Sequence, residues 1–293
     1  MTYPDGLRTQ IEGYLVQLRF SEESLTGRLV EAMRYSLLAG GKRIRPVLAL
    51  ATARAIGHDE RELLPFAAAI ELIHTYSLIH DDLPAMDDDS LRRGRPTCHV
   101  VFGDDVAILA GDGLYAEAFR HVLTEQQGEP AHILAAVAEL AAATAVDGMV
   151  GGQYLDVAGA AGDAPDAAHA LRRTHELKTG RLIGASVECV LLLAGMSPTT
   201  TTDYRDFAAE LGVLFQIVDD ILDVTGTDAA LGKPRGSDER QGKRTYVTEF
   251  GLQGARDLAI RSHREARALL AAAAPGGAAE LEQITDFIAT RSS

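Results

Sequence analysis

The chain has 293 residues, a formal net charge of −14, and 46% hydrophobic against 24% charged residues. This length supports a large buried core, and the composition is typical of a protein that folds throughout, which excludes a disordered chain. The acidic balance argues against a nucleic-acid partner, because phosphate backbones are bound through basic surfaces.

Apolar residues recur at three- and four-residue intervals along most of the chain, which is the helical period, and convincing strand alternation is absent. The pattern predicts an all-α chain of ten or more helices in a single domain, residues 1–293. The predicted helices cover residues 6–19, 22–38, 44–57, 60–82, 103–126, 130–158, 166–178, 180–195, 200–224, 244–273 and 277–290. Stretches rich in Gly, Pro and Asp separate them, and none of these resembles a flexible linker.

The two cysteines, Cys98 and Cys189, are too few for a disulfide framework and lack zinc-ligand spacing. We therefore expect buried thiols in a reducing cytoplasm. The N-terminal sequence lacks the basic start and apolar run of a signal peptide, and no stretch resembles the ~20 apolar residues that cross a bilayer. These features predict a cytoplasmic protein without stable membrane insertion.

The fourth predicted helix leads into a stretch dense in carboxylates, "HDDLPAMDDDSLRRGRPT". Like charges a few ångströms apart oppose folding unless something binds them. The cluster is therefore either a solvated loop or a cation site. Its aspartates are Asp81, Asp82, Asp87, Asp88 and Asp89. A metal shared by Asp82 and Asp87 requires the chain to bend, and Pro84 is the residue expected to cause the bend.

A second acidic cluster, "FQIVDDILD", lies near the end of the predicted helix 200–224. At 100° per residue its polar side chains fall within roughly a 100° arc and share one face. They are Gln216, Asp219, Asp220 and Asp223. One such cluster is as readily a solvated helix face as a binding site. Two clusters favour a hard cation such as Mg²⁺, which prefers carboxylate oxygens.

Basic residues are grouped beside both acidic clusters and in two further motifs. Each alone is more typical of a solvated surface charge. Together, in an acidic chain, they predict a site for a phosphorylated ligand bound with magnesium. The spacing of a nucleotide P-loop is absent. The groups are Arg92, Arg93 and Arg95; Lys233, Arg235, Lys243 and Arg244; Lys178 and Arg181; and Lys42, Arg43 and Arg45.

The motifs "GGKRIRP", "HTYSLIHDDLPAMDDDSLRRGRPT", "GGQYLD", "KTG", "FQIVDDILD", "GKPRGSD" and "GKRTY" occur in this order. Together they resemble the trans-prenyltransferases, the polyprenyl diphosphate synthases, and are particularly similar to bacterial farnesyl diphosphate synthases. The resemblance runs from about Arg28 to the C-terminus. It implies the isoprenoid synthase fold, in which ten or so core helices surround a deep central cavity, and it implies a homodimer.

The resemblance also implies a reaction. Isopentenyl diphosphate condenses with an allylic diphosphate, dimethylallyl or geranyl, by magnesium-assisted ionisation, condensation and elimination. Three Mg²⁺ ions, bound with the diphosphate substrate, are implied, with the ligands Asp81, Asp82, Asp87, Asp219, Asp220 and Asp223. The implied catalytic residues are Asp81, Asp82, Asp87, Arg92, Lys178, Thr179, Gln216, Asp219 and Lys233.

The resemblance further divides the substrate-binding residues. Those implied are Gly41, Lys42, Arg45, His74, Arg92, Arg93, Lys178, Thr179, Gln216, Lys233 and Lys243. The allylic diphosphate is assigned to Arg92, Lys178 and Lys233, and isopentenyl diphosphate to Lys42, Arg45, Arg93 and His74. The loop 232–243 is the expected lid. At the C-terminus, Arg291 is the one basic residue where relatives often carry a more basic tail.

The residues five and four positions before Asp81 are Tyr76 and Ser77, and the resemblance implies that they set the depth of the cavity. The bulky ring and the four-residue spacer "LPAM" resemble enzymes that stop at fifteen carbons, so farnesyl diphosphate is the predicted product. Geranylgeranyl diphosphate is the close alternative. On a helix Tyr76 lies about 140° from Asp81, and Ser77 about 40°. Both can face one cavity only if its wall is centred near Ile73.

Two other functions remain open. A terpene cyclase uses a related fold and a magnesium-bound diphosphate, but it needs neither a second aspartate-rich motif nor "GGKRIRP". A non-catalytic partner subunit is expected to have lost its aspartate-rich motifs. Both motifs are intact in this chain, which favours the synthase.

Overall fold

The computed structural model describes residues 3–159, 167–226 and 243–291, and most of these are helical. The prediction of an all-α fold is confirmed. The helices are α1 (Asp5–Gln17), α2 (Gly27–Leu37), α3 (Ile44–Ala55), α4 (Leu64–Asp81), α5 (Cys98–Phe102), α6 (Asp104–Glu125), α7 (Pro130–Thr144), α8 (Met149–Val157), α9 (Ala167–His175), α10 (Arg181–Leu193), α11 (Pro198–Thr225), α12 (Tyr246–Ala273) and α13 (Ala279–Thr290).

The predicted helix 130–158 is wrong as a single element, because α7 and α8 are separate. The backbone is extended at Ala145, which ends α7. The turn that follows brings Gly151 so close to Val146 that a Cβ on the glycine would lie 1.7 Å from the Val146 carbonyl oxygen. Only glycine permits this approach, and apolar periodicity does not show it.

Other boundaries also differ from the prediction. The helix predicted at 22–38 begins at Gly27, after a 3₁₀ turn at Ser24–Thr26. The helix predicted at 244–273 is kinked at Gly251, where φ is +70°. The short α5 was not predicted, since five residues are too few to show a period.

A two-stranded antiparallel hairpin, β1 (Leu91–Arg92) and β2 (Arg95–Pro96), follows the first acidic cluster. The sequence did not predict it. Its two central residues, Arg93 and Gly94, have φ of 54° and 72°. Positive φ at both positions is the geometry of a type I′ turn. Arg92, in the first strand, lies beside the end of α4, where it pairs with Asp82.

A continuous cluster of buried apolar side chains runs from Leu7 in α1 to Ile288 in α13. Its centre is α4, which is buried on most of its surface, as expected of a helix that is apolar nearly all round. α4 packs along α6, and α11 packs along α12. This packing sets the ends of α4 and α11 against the same internal space.

By length and composition alone, the segments Glu60–Asp81 and Pro130–Val157 could cross a membrane. The first consists of α4 with the 3₁₀ turn before it, and it is mostly buried in the protein core. The second is interrupted between α7 and α8. The first segment is therefore accounted for as a packed helix of the fold, whereas only 33% of the apolar window in the second is buried.

The chain bends directly after α4, as predicted. Pro84 lacks a backbone donor, and the residue before a proline disfavours the helical conformation. The chain turns back so that the Asp87 N–H donates to the Asp81 carbonyl at 2.9 Å. This turn presents Asp81 and Asp87 to the same space.

Candidate active site

A cavity of about 630 Å³ lies between α4, α8, α11 and the turn that precedes α10. Most of the predicted site residues line it. They are Arg45, His74, Tyr76, Ser77, Asp81, Asp87, Arg92, Arg93, Lys178, Thr179, Gln216, Asp219, Asp220 and Lys243. The predicted residues placed elsewhere are Gly41, Lys42, Asp82 and Asp223. Lys233 lies outside the described residues, as does most of the predicted lid.

The first acidic cluster divides into two parts. Asp81 and Asp87 face the cavity, whereas Asp82 lines a smaller cavity of about 40 Å³ beside it. There Arg92 Nη2 donates to Asp82 Oδ1 at 2.6 Å and Arg92 Nε donates to Asp82 Oδ2 at 3.0 Å, which makes a bidentate ion pair. Asp82 and Asp87 therefore do not converge in this conformation, and a shared metal between them remains a prediction.

Asp81 is the most perturbed carboxylate of the cluster. Burial raises its pKa to about 6; the Lys178 ammonium opposes this rise and the Asp87 carboxylate adds to it. Among the described residues, no hydrogen bond to its side chain compensates for the lost solvent. A desolvated carboxylate of this kind binds a cation favourably, because the cation restores the missing charge partner.

The second acidic cluster lies on α11, and three of its four predicted members face the cavity. Gln216, Asp219 and Asp220 line the cavity. Asp223, one turn later, is buried outside it. Asp220 is held from two sides: its Oδ1 accepts from Gln216 Nε2 and its Oδ2 from the Tyr246 N–H, both at 2.7 Å.

A π-helical turn, Glu176–Gly180, joins α9 to α10 and carries Lys178 and Thr179. Such turns are rare and frequently occur at functional sites. α8 packs tightly against it, since a Cβ on Gly152 would lie 2.1 Å from the Lys178 nitrogen. The Thr179 hydroxyl donates to Gln216 Oε1 at 3.0 Å, which links the turn to the second cluster.

The two cavity lysines meet at Asp156. Lys178 Nζ lies 2.6 Å from Asp156 Oδ2, and Lys243 Nζ lies 3.5 Å from the same oxygen and 2.8 Å from Asp87 Oδ1. Burial alone would raise the pKa of Asp156, but the charges of Lys178 and Lys243 prevail and lower it. Asp156 is the last residue of "GGQYLD", a motif that contributes to the resemblance but from which no site residue was predicted.

Arg45 and His74 form the side of the cavity assigned to isopentenyl diphosphate. Arg45 Nη1 lies 3.4 Å from His74 Nε2. Because arginine only donates, Nε2 is the acceptor and Nδ1 carries the proton. Burial, with the charges of Arg45 and Arg93, lowers the pKa of His74 well below its usual range. Burial also lowers the pKa of Arg45 to about 10, so at neutral pH Arg45 is charged and His74 is not.

Arg291 reaches the cavity wall from the C-terminal end of the chain. Its Nη2 donates to Asp219 Oδ1 at 3.1 Å, and its guanidinium lies 4.2 Å from the centre of the Phe215 ring. Arg45 approaches the same ring at 5.8 Å. The single basic residue of the tail therefore contacts two residues that line the cavity.

The cations of "GGKRIRP" differ in role. Arg43 is buried and pairs with Glu12 at 2.7 Å and Glu71 at 2.5 Å, so it stabilises the fold. Lys42 is exposed and lies over the Phe287 ring.

Gly41 acts through its missing side chain. Its φ is +122°, and a Cβ there would lie 2.6 Å from the centre of the Arg93 guanidinium. Glycine at this position therefore leaves the space that Arg93 occupies.

Tyr76 and Ser77 both line the cavity, so both face it as the resemblance required. The Tyr76 ring packs edge-on against Tyr115, with 4.9 Å between ring centres, and Tyr115 packs against Phe119 at 5.2 Å. Tyr115 also lies within hydrogen-bond distance of Thr144, at 3.1 Å between the two oxygens. Tyr76 is thus backed by a second layer of rings.

The donor set fits magnesium. The cavity is lined by carboxylates from two parts of the chain, Asp81 and Asp87 at and just after the end of α4 and Asp219 and Asp220 on α11. Within the described part of the chain, no three carboxylate, histidine or cysteine side chains already stand close enough to hold a metal by themselves. Mg²⁺ typically takes one or two carboxylates and completes its shell with water and substrate phosphates. The cavity suits an ion held between the protein and a diphosphate.

Residues 26–284 match the family model described as polyprenyl synthetase. The chain belongs to this family. It is 46% identical over 268 residues to a farnesyl diphosphate synthase of Geobacillus stearothermophilus, covering 90% of this chain and 89% of that protein. It is 45% identical over 262 residues to a chloroplastic geranylgeranyl pyrophosphate synthase of Capsicum annuum, covering 89% and 71%.

A solved structure is similar over nearly the full length. It is a geranyltransferase of Helicobacter pylori, complexed with magnesium and isoprenyl diphosphate, with 31% identity, a TM-score of 0.86, and coverage of 98% of this chain and 97% of that one. This polyprenyl synthetase therefore has the isoprenoid synthase fold. It is a prenyltransferase and a short-chain prenyl diphosphate synthase.

Proposed function

We propose that this synthase condenses isopentenyl diphosphate with dimethylallyl or geranyl diphosphate and releases farnesyl diphosphate. One observation carries the proposal: residues of both acidic clusters, several cationic side chains and the Tyr76 ring all line the same cavity. Carboxylates from two parts of the chain suit a metal-bound diphosphate, and the apolar wall suits its hydrocarbon tail.

The allylic diphosphate binds between the two acidic clusters. Asp81 and Asp87 on one side and Asp219 and Asp220 on the other would hold Mg²⁺, three ions as the resemblance implies, with Asp82 and Asp223 as further ligands if they turn. Bound magnesium supplies charge stabilisation for the departing diphosphate. Lys178 lies at hydrogen-bond distance from Asp156, and Lys243 from Asp87. A bound diphosphate can take the place of these carboxylates as the partner of each lysine. The two lysines orient the leaving group and balance its charge.

Isopentenyl diphosphate binds on the other side, where protein cations alone balance its charge. Arg45 and Arg93 line the cavity there, and neutral His74 donates from Nδ1. Lys42 reaches this side only by moving its exposed side chain. The double bond of isopentenyl diphosphate then attacks the allylic carbon, and a proton leaves to the released diphosphate.

The allylic cation needs dipoles without a nucleophile that would trap it. Gln216 and Thr179 supply them: Thr179 donates to Gln216 Oε1, while Gln216 Nε2 is held by Asp220. The amide is therefore fixed in orientation before the charge forms, which lowers the cost of reorganisation.

The product length rests on Tyr76. Its ring and Ser77 line the cavity, and Tyr115 and Phe119 fill the space behind. This arrangement supports a short cavity and fifteen carbons. Geranylgeranyl diphosphate is the second candidate, because a relative of nearly equal identity is named for that product.

Product analysis tests the proposal. The protein is incubated with Mg²⁺, isopentenyl diphosphate and, in separate reactions, dimethylallyl, geranyl or farnesyl diphosphate, and the chain lengths are read by chromatography. We expect elongation of the first two to fifteen carbons and little use of the third. Efficient elongation of farnesyl diphosphate would identify the geranylgeranyl alternative. Absence of elongation with every allylic substrate would contradict the synthase, and a cyclic hydrocarbon formed without isopentenyl diphosphate would indicate a cyclase.

We also propose a homodimer. Most of the large hydrophobic side chains that are exposed among the described residues lie between 100 and 157, on α5 to α8. Ile108 and Leu109, on α6, are 44% and 55% exposed. Apolar surface concentrated in this way is typical of a protein–protein interface.

Replacing both Ile108 and Leu109 with Asp should convert the dimer to a monomer, because each buried charge would be unpaired at the interface. Light scattering after size-exclusion chromatography gives the mass. Substituting exposed Val16 with Asp is the control and should leave the dimer intact. A wild-type mass of one chain would contradict the proposal.

We further propose one domain and a cytoplasmic location. The apolar cluster from Leu7 to Ile288 supports a single domain for residues 1–293. The two cysteines, Cys98 and Cys189, are buried and unpaired, which is consistent with a reducing compartment.

A further inference from the structure

His175 is the last residue of α9, and its ring lies in the cavity wall beside Asp220. Its Nε2 is 3.9 Å from Asp220 Oδ2, too far for a hydrogen bond. The residue is only 9% exposed. Neither ring nitrogen has a hydrogen-bond partner among residues 3–159, 167–226 and 243–291. His175 therefore carries two shielded polar atoms that the described protein does not satisfy.

Packing alone does not explain a histidine here. The ring stacks on Tyr246, with 5.6 Å between ring centres and 21° between the planes. That contact needs a flat ring but no nitrogen. Buried polar atoms without partners are unfavourable, and folded proteins keep few of them. The two nitrogens of His175 therefore indicate a partner that the protein itself does not provide.

His121 shows the ordinary case in the same chain. It is similarly buried, at 8% exposed, and its Nε2 lies 2.9 Å from the Tyr14 hydroxyl. It does not line the cavity. In this chain, a histidine buried away from the cavity is therefore satisfied, whereas His175, in the cavity wall, has no such partner among the described residues.

The neighbours of His175 indicate the ligand chemistry. Asp220 lies 3.9 Å from the ring, Asp156 and Lys178 are its charged neighbours, and all of them line the cavity; both oxygens of Asp220 already accept hydrogen bonds from the protein. An imidazole can donate to a phosphate oxygen or accept from a metal-bound water. We propose that His175 binds the magnesium–diphosphate assembly through a hydrogen bond to one of its oxygens. This inference rests on the proposed function.

Substitution of His175 by Phe tests the nitrogens separately from the ring, because Phe keeps a flat ring against Tyr246 but has no nitrogen. Without magnesium and diphosphate, we expect H175F to unfold at the wild-type temperature or higher, since it removes two unsatisfied polar atoms. H121F, the matched control, should unfold at a lower temperature because it breaks the hydrogen bond to Tyr14. Thermal denaturation measures both.

The binding measurement uses inorganic diphosphate with saturating Mg²⁺ in a calorimeter. H175F should weaken the affinity for magnesium diphosphate about 10-fold. This is the lower end of the loss expected when a group that supports a metal site is removed. H175Q, which retains a donor and an acceptor, should recover part of the affinity, and H121F should bind like the wild type. The same titration with EDTA separates the sources: a loss only with Mg²⁺ indicates a metal-bound water, and a loss in both indicates a phosphate oxygen.

Two results would overturn the inference. One is a wild-type diphosphate affinity of H175F with Mg²⁺. The other is a fall in its unfolding temperature that matches H121F, since this would mean that the nitrogens are already satisfied within the protein. Failure of the proposed function gives a different result. The wild type would then elongate no allylic substrate, whatever the diphosphate affinity of H175F.

Discussion

Asp81→Asn is expected to lower the kcat/KM for condensation of geranyl with isopentenyl diphosphate by about 100- to 1000-fold, the range seen when one preorganised stabilising group is removed. The amide keeps the size of the side chain but loses the charge that holds magnesium against the diphosphate. Asp81 is the carboxylate at the end of α4 that faces the cavity, whereas its neighbour Asp82 is paired with Arg92. Steady-state kinetics at saturating Mg²⁺ measures the loss.

The same substitution should make the ligand-free protein more stable above pH 6. Burial raises the pKa of Asp81 to about 6. A carboxyl whose pKa is higher in the folded than in the unfolded state contributes stability below its unfolded pKa, and this contribution is lost as the pH rises through 6. Asn does not ionise, so the variant keeps its stability. We expect its unfolding midpoint to exceed that of the wild type at pH 8 and the difference to shrink towards pH 4.

Asp88→Asn is the matched control for Asp81. Asp88 belongs to the same acidic run but is exposed and does not line the cavity. Its φ of 52° is tolerated by Asn as well as by Asp. We expect near wild-type kinetics and stability. An Asp81→Asn enzyme as active as this control would remove Asp81 from the metal site.

The helical fold was predictable because its signal is repeated many times. α4 and α11 are long, and their apolar period continues through the residues that become buried. Glycine contacts are a different kind of signal. The turn between α7 and α8 involves close backbone approaches at Gly148 and Gly151, and no periodic pattern reports such single contacts.

The pairing of Asp82 with Arg92 shows what spacing leaves open. The sequence places both in one motif and predicts that Asp82 binds metal and Arg92 binds diphosphate. Arg92 lies in the first strand of the hairpin, beside the end of α4, where it and Asp82 neutralise each other. The spacing of the motif does not show this pairing, because it depends on a tertiary contact between the hairpin and the end of α4.

Asp156 and His175 were missed for a related reason. Each is a single polar residue without a neighbour of its kind, so neither forms a cluster that sequence reasoning can weigh. Their surroundings come from other elements: Asp156 on α8 pairs with Lys178 of the π-helical turn and with Lys243, and His175 meets Asp220 from α11. Only the tertiary structure brings these groups together.

Tyr76→Ala should lengthen the main product from fifteen to twenty carbons or more. The Tyr76 ring forms part of the cavity wall one to two helical turns from Asp81, a distance of ~7.5 Å along α4. Its removal opens space that the hydrocarbon tail can enter. Tyr115 and Phe119 remain behind it, so we expect the extension to be limited rather than open-ended. Chromatography of the products from geranyl and isopentenyl diphosphate measures the change.

Tyr76→Phe is the control that isolates the ring. The Phe ring retains the packing against Tyr115 and the blocked space while it removes the hydroxyl, so the product should stay at fifteen carbons. Products of equal length from Tyr76→Ala and the wild type would show that the ring does not limit the hydrocarbon tail. Ser77, the other cavity-lining residue of the pair, would then be the position to replace with a larger side chain. Longer products from Tyr76→Phe as well would assign the limit to the hydroxyl, which steric volume alone does not predict.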